Sequence, residues 1–196
     1  MKRIELIYRD ILYGAFEGKT RRFTQLGLSK KFNMSLSLVH HALKPLVKMN
    51  AVEVKSRECI VIDPKKVLYH WASKRNVEKD IIVKARINVP VRDIERSMRS
   101  GDVYGAYSAY KFLFHDVPAD YSEVYMYGNL AVHRGLKPSN NPNVFMLKKD
   151  TFLDRYGKTT TIAQTFVDLW NIKSWYAKEF VTALGKKLGE LYGILE

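Results

Sequence analysis

The sequence predicts an α+β chain in two parts: a head of short helices closed by a small β ribbon over residues 1–76, and a mixed α/β body over residues 77–196. Three observations predict it. Apolar residues of the first part recur at spacings of three and four, and side chains that cap helices stand before the runs. Two β-rich runs then flank the polar step Ser56-Arg57. Charge is split unevenly: residues 1–75 hold 16 Lys and Arg against 6 Asp and Glu, a net of +10, whereas the other 121 residues hold 17 against 14, a net of +3.

Ile4, Ile7, Tyr8, Ile11, Leu12 and Ala15 share one helical face, so residues 3–16 read as an amphipathic helix, weakened at its end by Gly14 and Gly18. A basic loop with Lys19, Arg21 and Arg22 follows. Thr24 caps a second helix over 24–32 that turns Leu26, Leu28 and Phe32 inward. Asn33-Met34 make a tight turn, because Asn tolerates the left-handed conformation that such turns need. Ser35 caps a third helix over 36–49, with Leu36, Val39, Leu43, Leu46 and Val47 as its buried stripe. Pro45 interrupts the hydrogen-bond ladder there, so one helix, bent at that point, is predicted. Residues 51–55 and 58–62 form a two-stranded ribbon. Asp63-Pro64 opens a fourth helix, which buries Val67, Leu68, Trp71 and Ala72 and ends near Asn76.

Beyond this the positive charge thins. Residues 81–89 read as a strand, 90–99 as a helix stopped by Gly101, and 103–114 (VYGAYSAYKFLF) as a helix on a second core. Residues 123–127 (EVYMY) are a strand by their aromatic and β-branched content. A Pro- and Asn-rich loop over 136–143 leads to a strand over 144–147, and 161–172 and 175–191 are closing helices.

A single cysteine, Cys59, allows no internal disulfide, and no apolar run approaches the length of about 18 residues that a membrane span needs. The first residues lack the continuous apolar stretch of a secretory signal. The expectation is a cytoplasmic protein with no membrane contact. Hydrophobic residues at 46% suffice for real cores and argue against wholesale disorder. A basic head on a nearly neutral body is the electrostatic footprint of a module that binds a polyanion.

Two helices joined by a tight turn place the second against base edges in the DNA major groove and the first across the backbone. Ser35, Ser37, His40, His41 and Lys44 are then the base-reading candidates, the imidazoles being able to donate to guanine N7 or to a phosphate. Lys19, Arg21, Arg22, Lys30, Lys31 and Lys48 suit phosphates, which position a protein without reading sequence. Lys55 and Arg57 at the ribbon tip would lie along the backbone or enter the minor groove.

Residues 24–62, with the pattern LSKKFNMSLSLVHHALKPLVKMNAVEV, resemble the winged helix–turn–helix of bacterial and archaeal transcription regulators. The resemblance implies a DNA-binding domain at 1–76 and double-stranded DNA, read by a homodimer, as partner. The pieces GAYSAYKFLF (105–114), EVYMY (123–127), VFMLKKD (144–150) and TIAQTFVDLW (161–170), with the helix carrying AKEFVTALGKKL, resemble AbiEi-like antitoxin and regulator proteins. That resemblance implies an operon-repressing head and an α/β partner-binding or sensor body at 77–196 that counters a nucleotidyltransferase-type toxin.

Catalysis is not expected. Two-metal nucleotidyl transfer needs clustered carboxylates, and the 123–127 strand offers Glu123 with Tyr125 where a second acid is wanted. His115, Asp116 and His133 are too sparse for a metal site, and Cys59 has no partner thiol. No phosphate-binding Gly-rich loop is present, and no cofactor is implied. Tyr104, Tyr107, Tyr110, Phe112, Phe114, Tyr121, Tyr125 and Tyr127 either build the second core or present a protein-binding patch, with Trp170, Trp175 and Tyr176 as further surface candidates. Two alternatives stand beside the regulator: an RNA-binding adaptor using the same positive face, and an interaction scaffold that no longer binds DNA, with a degenerate nucleotidyltransferase-like body.

Overall fold

A computed structural model describes residues 1–133 and 135–192; Arg134 and the last four residues of the predicted body lie outside them. The chain is a mixed α+β fold in two compact units, one of residues 1–75 with the end of the last helix from Gly185 on, the other of residues 76–184. No helix among the described residues is long and apolar enough to cross a membrane.

In the first unit, α1 (Arg3–Phe16) buries Leu6, Ile7, Tyr8, Ile11, Leu12 and Phe16. A two-residue strand β1 (Arg22–Phe23) leads into α2 (Gln25–Phe32), where the Thr24 hydroxyl accepts the Gly27 N–H at 2.9 Å. Asn33 takes the left-handed conformation at φ 49°, and the chain reverses into α3 (Leu36–Lys48), capped by Ser35 accepting from the Leu38 N–H at 3.2 Å. The hairpin β2 (Val52–Val54) and β3 (Cys59–Val61) closes between Lys55 and Glu58. Asp63 then caps α4 (Pro64–Lys74) through the Lys66 N–H at 3.0 Å.

Two features differ from the sequence reading. The ribbon is a three-stranded antiparallel sheet in the order β1-β3-β2, because Arg22 and Phe23 pair with Ile60 and Cys59. Leu26, Leu36 and Val47, predicted inward, are 52%, 50% and 39% exposed. The inward arc of α3 is already filled by Val39, Ala42, Leu43 and Leu46, and Met34 of the turn is buried beside them in the core. Pro45 lies inside α3 without ending it. It removes the N–H that the His41 carbonyl would accept, and at the same turn the buried Tyr8 hydroxyl donates to the Ala42 carbonyl at 3.0 Å.

Glu5 of α1 is buried against α4, where the Trp71 indole N–H donates to it at 3.2 Å and the Arg75 guanidinium lies 3.6 Å away. Burial pushes the Glu5 carboxyl up, while Arg75 and the Trp71 hydrogen bond pull the other way.

In the second unit the elements are β4 (Ile81–Ala85), α5 (Val91–Arg96), β5 (Val103–Gly105), α6 (Ala106–Phe114), β6 (Val124–Gly128), β7 (Val144–Lys148), α7 (Ile162–Trp170) and α8 (Trp175–Tyr192), of which residues up to Leu184 belong here. The sheet order is β4-β7-β6-β5, with β6 and β7 parallel and the outer pairs antiparallel. Alternation sorts its faces: Val83, Ala85, Val124, Met126, Val144 and Met146 join Ile94 of α5 in one core. On the opposite face the Tyr125 and Phe145 rings stack at 4.5 Å, and Tyr107 and Tyr110 of α6 meet Phe180 of α8 edge-on.

The predicted single helix over 103–114 is instead a strand followed at once by a helix. Val103, Tyr104 and Gly105 pair with Tyr127, Met126 and Tyr125, a non-local contact that helical spacing cannot reveal. Gly105 permits it: a Cβ there would stand 3.2 Å from the Tyr127 ring and 3.4 Å from the Tyr125 carbonyl oxygen. Ala106, at φ 45°, turns the chain into α6.

Candidate nucleic-acid interface

At about 100° per residue, Leu36, Ser37, His40, His41, Lys44 and Lys48 fall on one arc of α3 about 140° wide, and all six are exposed. The buried residues occupy the opposite arc, so core packing fixes which side chains α3 presents.

The arc is shared between two concavities. The first, about 520 Å³, brings Ser37 and His40 of α3 together with Lys55 and Arg57 of the hairpin tip. The exposed Leu26 and Leu36 form its apolar wall. Side chains nominated for base reading and for the ribbon, some 20 residues apart in sequence, thus line one groove. The second concavity, about 380 Å³, takes His41 and Lys44 to the other side of α3, among residues of α1 and α4. His40 and His41, adjacent in sequence, therefore serve different surfaces.

Ser35 is exposed, and its hydroxyl oxygen is committed to capping α3. The phosphate candidates divide as well. Arg22 is held two-pronged by Glu58 at 3.0 and 3.1 Å, Lys31 lies 2.6 Å from Asp10, and Lys55 lies 3.6 Å from Glu53. Lys19, Arg21, Lys30, Lys48 and Arg57 are exposed and in no ion pair among the described residues. Arg3 was not nominated from sequence; it donates to the Asn33 carbonyl at 2.6 Å and so ties α1 to the turn between α2 and α3. Cys59 is buried under the groove beside Gln25, and burial pushes its thiol up, away from the reactive thiolate.

In the second unit, Glu123 stands one residue before β6, with the Tyr125 hydroxyl donating to it at 3.5 Å and a further hydrogen bond from Tyr176. Burial pushes its carboxyl up. Among the described residues no three His, Cys, Asp or Glu side chains are grouped to hold a metal ion. His133 pairs with Asp102 at 2.9 Å, a buried contact that fastens the segment after β6 to the start of β5. Of the aromatics, Tyr107, Tyr110, Tyr125 and Tyr127 are buried, whereas Phe112, Trp170 and Trp175 are 38%, 48% and 74% exposed; Tyr176, expected on the surface, is instead buried, packed against Tyr107.

No family model matches the chain, and neither a curated protein nor a solved structure matches it.

Proposed function

We propose that the chain is a sequence-specific, non-enzymatic DNA-binding regulator whose first unit works as a winged helix–turn–helix. In this reading α2 and α3 are the two helices of the motif and the β2–β3 hairpin is the wing. The observation that carries it is the groove in which Ser37 and His40 of α3 converge with Lys55 and Arg57 of the hairpin. A helix fits the major groove, where each base pair displays its own donor and acceptor pattern. Ser37 and His40 supply hydrogen bonds, and the exposed Leu26 and Leu36 suit a thymine methyl. Lys19, Arg21, Lys30, Lys48 and Arg57, all exposed, are the side chains we assign to phosphates.

The remaining assignments rest on the resemblances: a cytoplasmic homodimer on two half-sites, and an antitoxin-like autorepressor whose second unit engages a toxin or another protein. Trp170 and Trp175, exposed on that unit, are the side chains we assign to such a contact.

A competition shift assay with the whole chain tests the partner. Duplex DNA is expected to displace a labelled duplex well below the concentration at which RNA of the same sequence does so. Preference for RNA would favour the adaptor, and failure to bind either would favour the scaffold.

A further inference from the structure

We infer that the second groove of the first unit, bounded by α1, α3 and α4, is a binding site for a small amphipathic organic anion, a carboxylate or phosphate ester carried on a flat apolar body. Its volume of about 380 Å³ lies in the usual range of small-molecule sites, about 300–1,000 Å³.

The floor is largely apolar. Tyr8 is 1% exposed and meets the His70 ring edge-on at 5.6 Å, and Ile4 and Pro45 complete the surface. The rim is cationic: Lys2, Lys44, Lys48 and Lys74 come from three separate helices or their caps. None of these four ammonium groups is in an ion pair among the described residues. Glu5 is the one acid in the lining, and it is already committed to Trp71 and Arg75. The groove therefore holds an uncompensated positive rim above an apolar floor. Inorganic phosphate would satisfy the rim and leave the floor wet; an uncharged ring would cover the floor and leave the ammonium groups repelling one another. An anion with a flat apolar body satisfies both.

His70 reports on occupancy. Burial and then the nearby Lys74 hold its imidazole below the usual histidine range. It shares the groove with Lys2, Glu5 and Tyr8 of α1 and its cap, with His41, Lys44 and Lys48 of α3, and with Lys74 of its own helix. A bound anion adds a negative charge and moves the His70 titration up.

The test is a titration of the whole chain without DNA, using three probes: 2-naphthoate, its uncharged isostere 2-naphthamide, and inorganic phosphate. Binding is followed by equilibrium dialysis and by the histidine ring resonances. The expected result is saturable binding of one 2-naphthoate per chain, an upward shift of the His70 titration, and at least tenfold weaker binding of the other two probes. Lys48→Gln with Lys74→Gln should weaken 2-naphthoate at least tenfold without lowering the melting temperature.

Equal binding of 2-naphthamide would reduce the groove to an apolar patch, and equal binding of phosphate would reduce it to a backbone-phosphate contact. Binding unchanged in the double variant would place the ligand elsewhere. Each of these overturns the inference. The site does not rest on the DNA reading: a wild-type chain that binds duplex but no naphthoate refutes the groove alone, and one that binds naphthoate but no duplex refutes the DNA reading alone. Because His41 and Lys44 lie on the α3 arc proposed for DNA, 2-naphthoate should also weaken duplex binding when both readings hold.

Discussion

Glu58 offers the sharpest perturbation of the proposed interface, because it takes one cation out of service and sets a negative charge beside the groove. Eight Lys and Arg side chains are nominated for phosphates, and three of them, Arg22, Lys31 and Lys55, are engaged by Glu58, Asp10 and Glu53, which leaves five. Each phosphate neutralised contributes a slope of about −0.9 to log affinity against log salt, so five predict about −4.5 and a loss of about 500-fold between about 50 and 200 mM salt. Glu58→Gln frees Arg22 and should steepen the slope to about −5.4, raising affinity for a random duplex about eightfold near 0.1 M salt. The Arg22–Glu58 pair is solvent-exposed and contributes only about 0–1 kcal/mol to the fold, so affinity rather than stability reads the change. Fluorescence anisotropy across a salt series is the assay. A wild-type slope near zero, or a Glu58→Gln variant that binds no better, would refute the reasoning.

Three further predictions concern the scaffold that presents α3. Tyr8→Phe deletes the hydroxyl that donates to the Ala42 carbonyl beside Pro45 and should cost about 0.5–1.5 kcal/mol in urea denaturation; an unchanged midpoint would show that the turn at Pro45 needs no such support. The Tyr8 phenol is pushed up to about 12 by burial and by Glu5, so in the folded protein it should resist ionisation at pH values where exposed tyrosines titrate, which ultraviolet difference spectra can follow. His70 is depressed by burial, so the stability tied to its neutral form is complete above the ordinary histidine pKa, near 6.5, and is lost as pH falls through the lower folded value. The wild type should therefore lose more stability between pH 7 and pH 5 than His70→Gln does, and parallel pH profiles would contradict this.

What the sequence made legible was local. The caps at Thr24, Ser35 and Asp63 and the left-handed turn at Asn33 are each decided by a few neighbouring residues, and all four stand where the residue types place them. The α3 stripe was read correctly at Val39, Leu43 and Leu46 but drawn too wide, since periodicity does not say how much of an apolar arc other elements cover. Strand β1 escaped notice because two residues carry no period; only pairing with Ile60 and Cys59 makes them a strand. Strand β5 was absorbed into a helix for the same reason, since small and aromatic residues suit both forms and Gly105 reveals its purpose only beside the Tyr127 ring.

The candidate site followed the same division. Exposure of Ser37, His40, His41 and Lys44 was legible from the helical period, whereas their division between two grooves depends on where α1, α4 and the hairpin pack. The pairing of Arg22 with Glu58, 36 residues away, was equally hidden, although it decides how many cations are free. Lys2, His70 and Lys74 were not singled out at all, because they gather only when α1 and α4 meet α3.

The central claim is that α3 reads base pairs, and selection of bound duplexes from a random pool, repeated with His40→Ala, tests it most directly. The wild type should enrich one motif, and a two-fold repeat within it would match a dimer. The variant should lose about 1–3 kcal/mol of discrimination at one base pair while keeping its salt slope and its affinity for random DNA. A pool that shows no enrichment, or a variant that selects the same motif with the same preference, would contradict the claim.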